Sequence, residues 1–144
     1  MMRHSIFLAA VLLAAACTDS VPQSTPVDGR WYTAEQVELG RGLYATHCAV
    51  CHAADGSSTT EWRTPGADGV YPPPPLNGTA HTWHHPLTVL DDTIANGGVR
   101  FGGVMPGLSA VIDEGERLAI IAWFQSLWSD DIYGKWQDID TRSR

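Results

Sequence analysis

Two cysteines and a histidine in the run Cys48-Ala49-Val50-Cys51-His52 constrain this chain more than anything else in its 144 residues. One helical turn presents both thiols to a single edge of a flat macrocycle, and the next side chain turns an imidazole toward its centre. C-x-x-C-H therefore reads as a c-type haem attachment site. On this reading Cys48 and Cys51 hold one haem covalently and His52 becomes the proximal axial ligand of its iron. Two other uses fit less well. A thioredoxin-like pair would follow a buried strand in a βαβ pattern, whereas residues 35 to 47 have a helical pattern and no β-rich run precedes them. A structural zinc site could join Cys48 and Cys51 to His81 and His84, but the second pair in such sites is usually spaced H-x₃₋₅-H, and His52 would be left without a role.

Attaching haem in this way requires export, and the start of the chain supplies a leader. Residues 1–16 carry Arg3, then an unbroken apolar run from position 6 that ends in small residues before Cys17. This is a signal-peptide pattern. Its apolar part is about half of the ~20 residues that a membrane-spanning helix needs. Haem takes two of the three cysteines, and the odd one, Cys17, falls at the expected cleavage point, where an unpaired thiol in an oxidising compartment invites explanation. Leu13-Ala14-Ala15-Ala16-Cys17 resembles a bacterial lipoprotein lipobox, with Ala14 where that pattern prefers leucine. The resemblance implies lipid attachment at Cys17 and a protein anchored to the membrane on the periplasmic side of the cell envelope. Ala14-x-Ala16 also suits ordinary signal cleavage, which would give a soluble periplasmic protein. Residues 17–30 are polar and contain proline, as a flexible tether would.

The rest reads as a haem domain over residues 31–128 and an acidic C-terminal extension over residues 129–144. One domain of about 110 residues is short enough for a buried cofactor to supply much of its apolar content. The formal net charge of −7, with one of the few cations lost in the leader, argues against nucleic acid as a partner. Lys135 is the only lysine.

Helical signals surround the motif. Thr33-x-x-Gln36 has the form of a capping box, and Val37, Gly40, Leu43 and Tyr44 follow at helical spacing. Gly40 inside this helix costs about 1 kcal/mol against alanine, so another backbone or a large ring should pack there. A second helix begins near Asp113 and places Ile120, Trp123, Phe124 and Leu127 at i, i+3, i+4 and i+7. Between them Pro86 opens a short helix through Leu87, Leu90 and Ile94, with Gly97 as its stop. β-patterned runs are missing, so the expected fold class is all-α.

The ligand opposite His52 has to come from far along the chain. Met105 is the candidate, in Gly102-Gly103-Val104-Met105-Pro106-Gly107-Leu108, where glycines allow close backbone approach to a planar cofactor and Pro106 stiffens the chain beside the sulfur. The other methionines, Met1 and Met2, belong to the leader.

Taken together, these residues resemble the class I cytochrome c family over roughly residues 34–128. The likeness is carried by Gly40 to Tyr44, by Cys48 to His52, by Met105-Pro106 and by the stretch from Ile120 to Phe124. It implies a crossed contact of the first and last helices through Gly40, Tyr44, Ile120 and Trp123. It also implies that the Pro74 carbonyl, in Pro74-Pro75-Leu76, accepts a hydrogen bond from the proximal imidazole. His81, Thr82, Trp83 and His84 fall where that family hydrogen-bonds the haem propionates. A longer loop between His52 and Pro74, and the tail after Trp128, depart from small family members.

Function follows from coordination. With His52 and Met105 filling both axial positions, the iron has no open site for O₂ or peroxide, and the thioether favours the ferrous state. The expected activity is one-electron transfer between redox protein partners, with no enzymatic step of its own. Two alternatives differ. In a haem-based enzyme or gas-binding module Met105 would dissociate, and His81, His84 or His85 would serve as a distal acid or base. In a copper-handling site the imidazoles of His81, His84 and His85 would share one metal.

Overall fold

The computed structural model describes residues 24–144. The leader, Cys17 and the first part of the tether lie outside the described residues. Five α-helices make up the described chain: α1 (Ala34–His47), α2 (Ala49–His52), α3 (Leu87–Asn96), α4 (Glu114–Ser126) and α5 (Asp130–Arg142), with 3₁₀ turns at His81–His84 and Val99–Phe101. Among the described residues the only β pairing is an isolated bridge between Pro26 and Thr33. The fold class is all-α, as expected.

The chain ends of α1 and α4 follow from their sequences. Thr33 caps α1 by accepting from the Gln36 amide, and the Gln36 side chain returns to the Thr33 amide at 3.0 Å. Asp113 and Glu116 make the same reciprocal box at the start of α4, at 2.9 and 3.0 Å. Each box satisfies amides that have no partner within the helix.

α1 and α4 cross at Gly40. A Cβ there would lie 1.8 Å from the Ala119 carbonyl oxygen, so only glycine lets the two backbones meet. One turn on, Tyr44 packs on Trp123 with ring centroids 3.9 Å apart. Ala119, Ile120, Ile121, Ala122 and Phe124 are all buried around this crossing. Leu90 and Ile94 of α3 join the same core, and Arg117 ties α4 to α3 through Asp91 at 2.7 Å.

The acidic segment after Trp128 is a helix with one buried face. In α5, Tyr133 and Trp136 are buried, and the Trp136 indole donates to the His85 carbonyl at 3.0 Å. Asp140 is buried too, and its carboxylate accepts from the Leu87 amide at 2.8 Å. α3 starts after Pro86, which has no side chain able to cap it, so a carboxylate 53 residues away caps the helix and faces its positive end. α5 also clamps the incoming chain. The Tyr133 hydroxyl accepts from the Trp31 amide at 3.1 Å, the Arg30 guanidinium lies 3.8 Å over the Tyr133 ring, and Arg30 pairs with Asp130 at 2.6 Å.

Candidate functional site

α1 runs almost directly into the motif. The Cys48 amide still donates to the Tyr44 carbonyl at 2.9 Å, and the amides of Cys51 and His52 donate to the Cys48 carbonyl at 3.0 and 2.9 Å. The short α2 that results, with Cys48 as its N-cap, leaves Cys48 buried, Cys51 exposed and His52 buried at 7 % exposure. Burial, and then Cys51, pushes the Cys48 thiol up to about 11. After His52 the chain turns sharply, with Ala53 at φ 62°. The Tyr44 hydroxyl stabilises this turn by donating to the Ala53 carbonyl at 2.9 Å. Tyr44 thus joins the α1–α4 crossing to the end of the motif.

His52 is oriented from outside its helix. Its Nδ1 lies 2.9 Å from the Pro74 carbonyl oxygen. A carbonyl can only accept, so Nδ1 carries the proton and donates, and Nε2 keeps its lone pair free for a metal. Burial holds this imidazole below the usual histidine range, against the opposing pull of the Pro74 bond. The ring is therefore neutral at neutral pH, the form that ligates iron.

The Pro74 carbonyl owes its place to Pro72-Pro73-Pro74-Pro75. Four prolines in a row have no amide hydrogen to donate, so the segment offers only acceptors. Consecutive carbonyls are met from four different parts of the chain. Pro73 accepts from the Ser58 hydroxyl, Pro74 from His52, Pro75 from the Thr82 hydroxyl at 3.0 Å and Leu76 from the Trp128 indole at 2.7 Å. The Leu76 amide then donates to the Gly56 carbonyl at 2.7 Å, which closes the loop that follows the motif. The sequence pointed to Pro74; the partners of its neighbours are visible only in the fold.

Met105 stands in the segment after α3, half-buried against the same core cluster as Leu76, Trp83, Leu108 and Leu118. The glycines of this region also meet protein backbone closely. Two of these approaches join the Met105 segment to the end of α3. Gly97 has φ +78°, and a Cβ on it would lie 2.6 Å from the Met105 carbonyl oxygen, while one on Gly107 would lie 2.8 Å from the Ala95 carbonyl oxygen. These contacts let the Gly98 amide donate to the Met105 carbonyl at 2.9 Å, and the Leu108 and Ser109 amides donate to the last carbonyls of α3, Ile94 and Ala95, at 3.0 and 3.1 Å. The Met105 backbone is pinned to the end of α3.

The three further histidines do not converge. His84 lies against Trp83, with centroids 3.8 Å apart, whereas His81 faces His85 at 5.6 Å and Trp62 at 5.3 Å. Among the described residues no group of three or more histidine, cysteine or carboxylate side chains is arranged to hold a metal. The copper reading that used His81, His84 and His85 together is thus corrected: these side chains are not arranged to hold a metal. Burial first, then its neighbours His85 and His84 and the Arg63 charge, holds His81 below the usual histidine range; burial and His84 do the same for His85.

A family model described as "Cytochrome C oxidase, cbb3-type, subunit III" matches residues 35–124, more than half of the chain. The chain belongs to this family. It contains a c-type cytochrome domain, and such a domain implies haem c and haem-based electron transfer. No curated protein and no solved structure matches the chain. The match starts at the second residue of α1 and ends two residues before the end of α4, so it takes in the C-x-x-C-H motif, the proline run and Met105. Among the described residues no helix is long and apolar enough to cross a membrane.

The donor set fits the implied group. Two free cysteines stand three positions apart, Cys48 at the N-cap of α2 and buried, Cys51 in the helix and exposed, and the adjacent neutral imidazole has a lone pair to give. Sequence reasoning missed the buried Asp140 cap and the Tyr44 hydroxyl, both of which hold pieces of this site in place.

Proposed function

We propose that this protein is a one-electron carrier of the bacterial cell envelope, with haem c attached through Cys48 and Cys51 and its iron bound by His52 and Met105. The observation that carries the reading is the 2.9 Å contact of His52 Nδ1 with the Pro74 carbonyl. It fixes the tautomer, aims Nε2 and makes the imidazole a better donor, which is the role an outer partner plays at metal-ligating histidines. The bound haem supplies reversible one-electron chemistry. The protein's residues do the rest. Pro74 orients His52, Tyr44 fixes the turn after it, and the Gly98–Met105 backbone hydrogen bond pins to the end of α3 the residue that this reading makes the second ligand.

A filled coordination sphere leaves electron exchange with redox protein partners as the activity. The family's name supports an oxidase complex as the setting in which those partners are met. Cys17 carries the lipid anchor in this reading, and residues 17–30 tether the domain to the membrane.

Covalent attachment is tested by denaturing the purified protein and extracting it with acidified organic solvent. One haem should remain with each chain, and Cys48→Ala together with Cys51→Ala should abolish it. Recovery of the haem in the solvent from wild-type protein would refute the assignment.

A further inference from the structure

We propose that α5 and the segment just before α1 form a clasp that fixes where the tether leaves the domain, and so holds the haem close to the membrane on a short leash. The proposal rests on the reading of Cys17 as the lipid anchor. The two halves of the clasp lie on opposite sides of the family match, which covers residues 35–124: residues 26–33 come before it and α5 after it. The clasp thus joins two segments that the matched domain does not include.

Residues 26–33 double back on themselves. The Arg30 amide donates to the Val27 carbonyl at 2.8 Å, closing a turn in which Gly29 takes a φ of +69°. The Val27 amide donates to the Tyr32 carbonyl at 2.8 Å, and Pro26 pairs with Thr33. The second arm runs inward, from exposed Gly29 through half-buried Arg30 and Trp31 to buried Tyr32. Tyr133 of α5 receives it. Its ring lies beneath the Arg30 guanidinium and meets the Tyr32 ring edge-on at 6.2 Å, while its hydroxyl accepts from the Trp31 amide. The Trp31 indole donates to Gln125 Oε1 at 2.7 Å, and Gln125 is fully buried in α4. The Arg30–Asp130 pair has a fully exposed carboxylate and adds little, so the hold comes from the aromatic contacts and the two hydrogen bonds. α5 is itself fixed to the domain through Trp136 at His85 and Asp140 at Leu87.

The clasp sets the length of free chain. Residues 18–25 separate Cys17 from Pro26, and a chain of that length spans at most about 29 Å. With the clasp undone the free chain would run through Thr33, a span of at most about 58 Å. The effective concentration of a tethered group falls roughly as the −3/2 power of tether length, so closing the clasp raises that of the haem domain at the membrane surface about threefold. The class of partner follows: a redox protein whose own electron-exchange site lies at the membrane surface, within the shorter span.

The test uses the haem-loaded mature chain with Cys17→Ser and an N-terminal hexahistidine tag, bound to phosphatidylcholine vesicles that contain a nickel-chelating lipid and a fluorescent headgroup-labelled lipid. The tag brings the start of the chain to the surface whatever Cys17 carries, so failure of the anchor reading is seen separately, as an unlipidated mass of the wild-type protein. Quenching of the fluorophore by the haem reports how close the domain lies. Arg30→Ala with Trp31→Ala should free the amides at positions 27, 30 and 31 to hydrogen exchange. It should also lower the quenching to that of a variant with eight glycine and serine residues inserted after Thr25, which lengthens the leash with the clasp closed. Tyr133→Phe, which keeps the ring and loses only the hydroxyl, should fall between parent and released variant, and the haem optical spectrum should be the same in all. Quenching equal to the parent's in the released variant or in the insertion would overturn the proposal. So would free exchange of those three amides in the parent.

Discussion

Replacing Gly40 with alanine tests whether the crossing of α1 and α4 underlies the whole site. Alanine gains about 1 kcal/mol over glycine in a helix interior. Against this, the new Cβ would lie 1.8 Å from the Ala119 carbonyl oxygen and 2.4 Å from its carbon, where real Cβ contacts stay above 3.0 Å. The obstacle is backbone on a buried helix, so α1 and α4 must part by more than about 1 Å, which opens gaps around Ile120 and the Tyr44–Trp123 pair. Overpacking of this kind costs about 1–3 kcal/mol, and a rigid backbone obstacle belongs at the upper end. The net expectation is a loss of about 2 kcal/mol, or a fall in Tm of roughly 8 °C for a domain of this size. Gly42 supplies the control: it lies two residues away in the same helix, exposed, with nothing within 4 Å of an added methyl group. Gly42→Ala should raise stability by up to about 1 kcal/mol. Thermal unfolding of the two haem-loaded variants, followed by circular dichroism, compares them at identical composition. Gly40→Ala as stable as Gly42→Ala would refute the reasoning.

Three further outcomes follow from the site and its supports. Gly97→Ala combines a left-handed φ with a Cβ 2.6 Å from the Met105 carbonyl oxygen, so it should displace the Met105 segment and let the reduced protein bind CO, whereas Gly102→Ala, left-handed but in open space, should cost only about 1–2 kcal/mol and leave CO excluded. Asp140→Ala removes the cap of α3 and should cost about 1–2 kcal/mol in chemical denaturation, with Asp140→Asn, which keeps an acceptor, losing less. On the proposed lipid anchor, Cys17→Ser should move the protein from the membrane to the soluble envelope fraction with an unchanged optical spectrum, since two or more acyl chains at about 0.8 kcal/mol per buried CH₂ would be what holds it there.

The parts of this fold that were legible in the sequence are those written locally. The capping box of α1, the proline start and glycine stop of α3 and the need for glycine at position 40 depend on residues a few places apart or on the cost of one residue in its own helix. The α5 segment was harder to read. Its aspartates suggest a solvated extension, yet Tyr133 and Trp136 share one face with Asp140, and that face is buried because His85 and Leu87 present a carbonyl and an amide to it. Such a partnership spans about fifty positions and leaves no periodic trace. The same holds at the proline run. Pro74 could be picked out through the resemblance to class I cytochromes c, but Ser58, Thr82 and Trp128 find its neighbours only once the chain is folded. The contacts that Gly97 and Gly107 make between the Met105 segment and the end of α3 likewise appear only once the chain is folded.

The proposed axial pair of His52 and Met105 is tested most directly by one optical experiment on the purified protein, recorded oxidised, reduced, and reduced under CO at neutral pH. The expected result is a low-spin six-coordinate spectrum in the reduced state that CO leaves essentially unchanged, with Met105→Ala converting fully to a CO complex. Rapid and complete CO binding by the unmutated protein would contradict it, and would mean that the iron is open for the chemistry of an enzyme or a gas sensor.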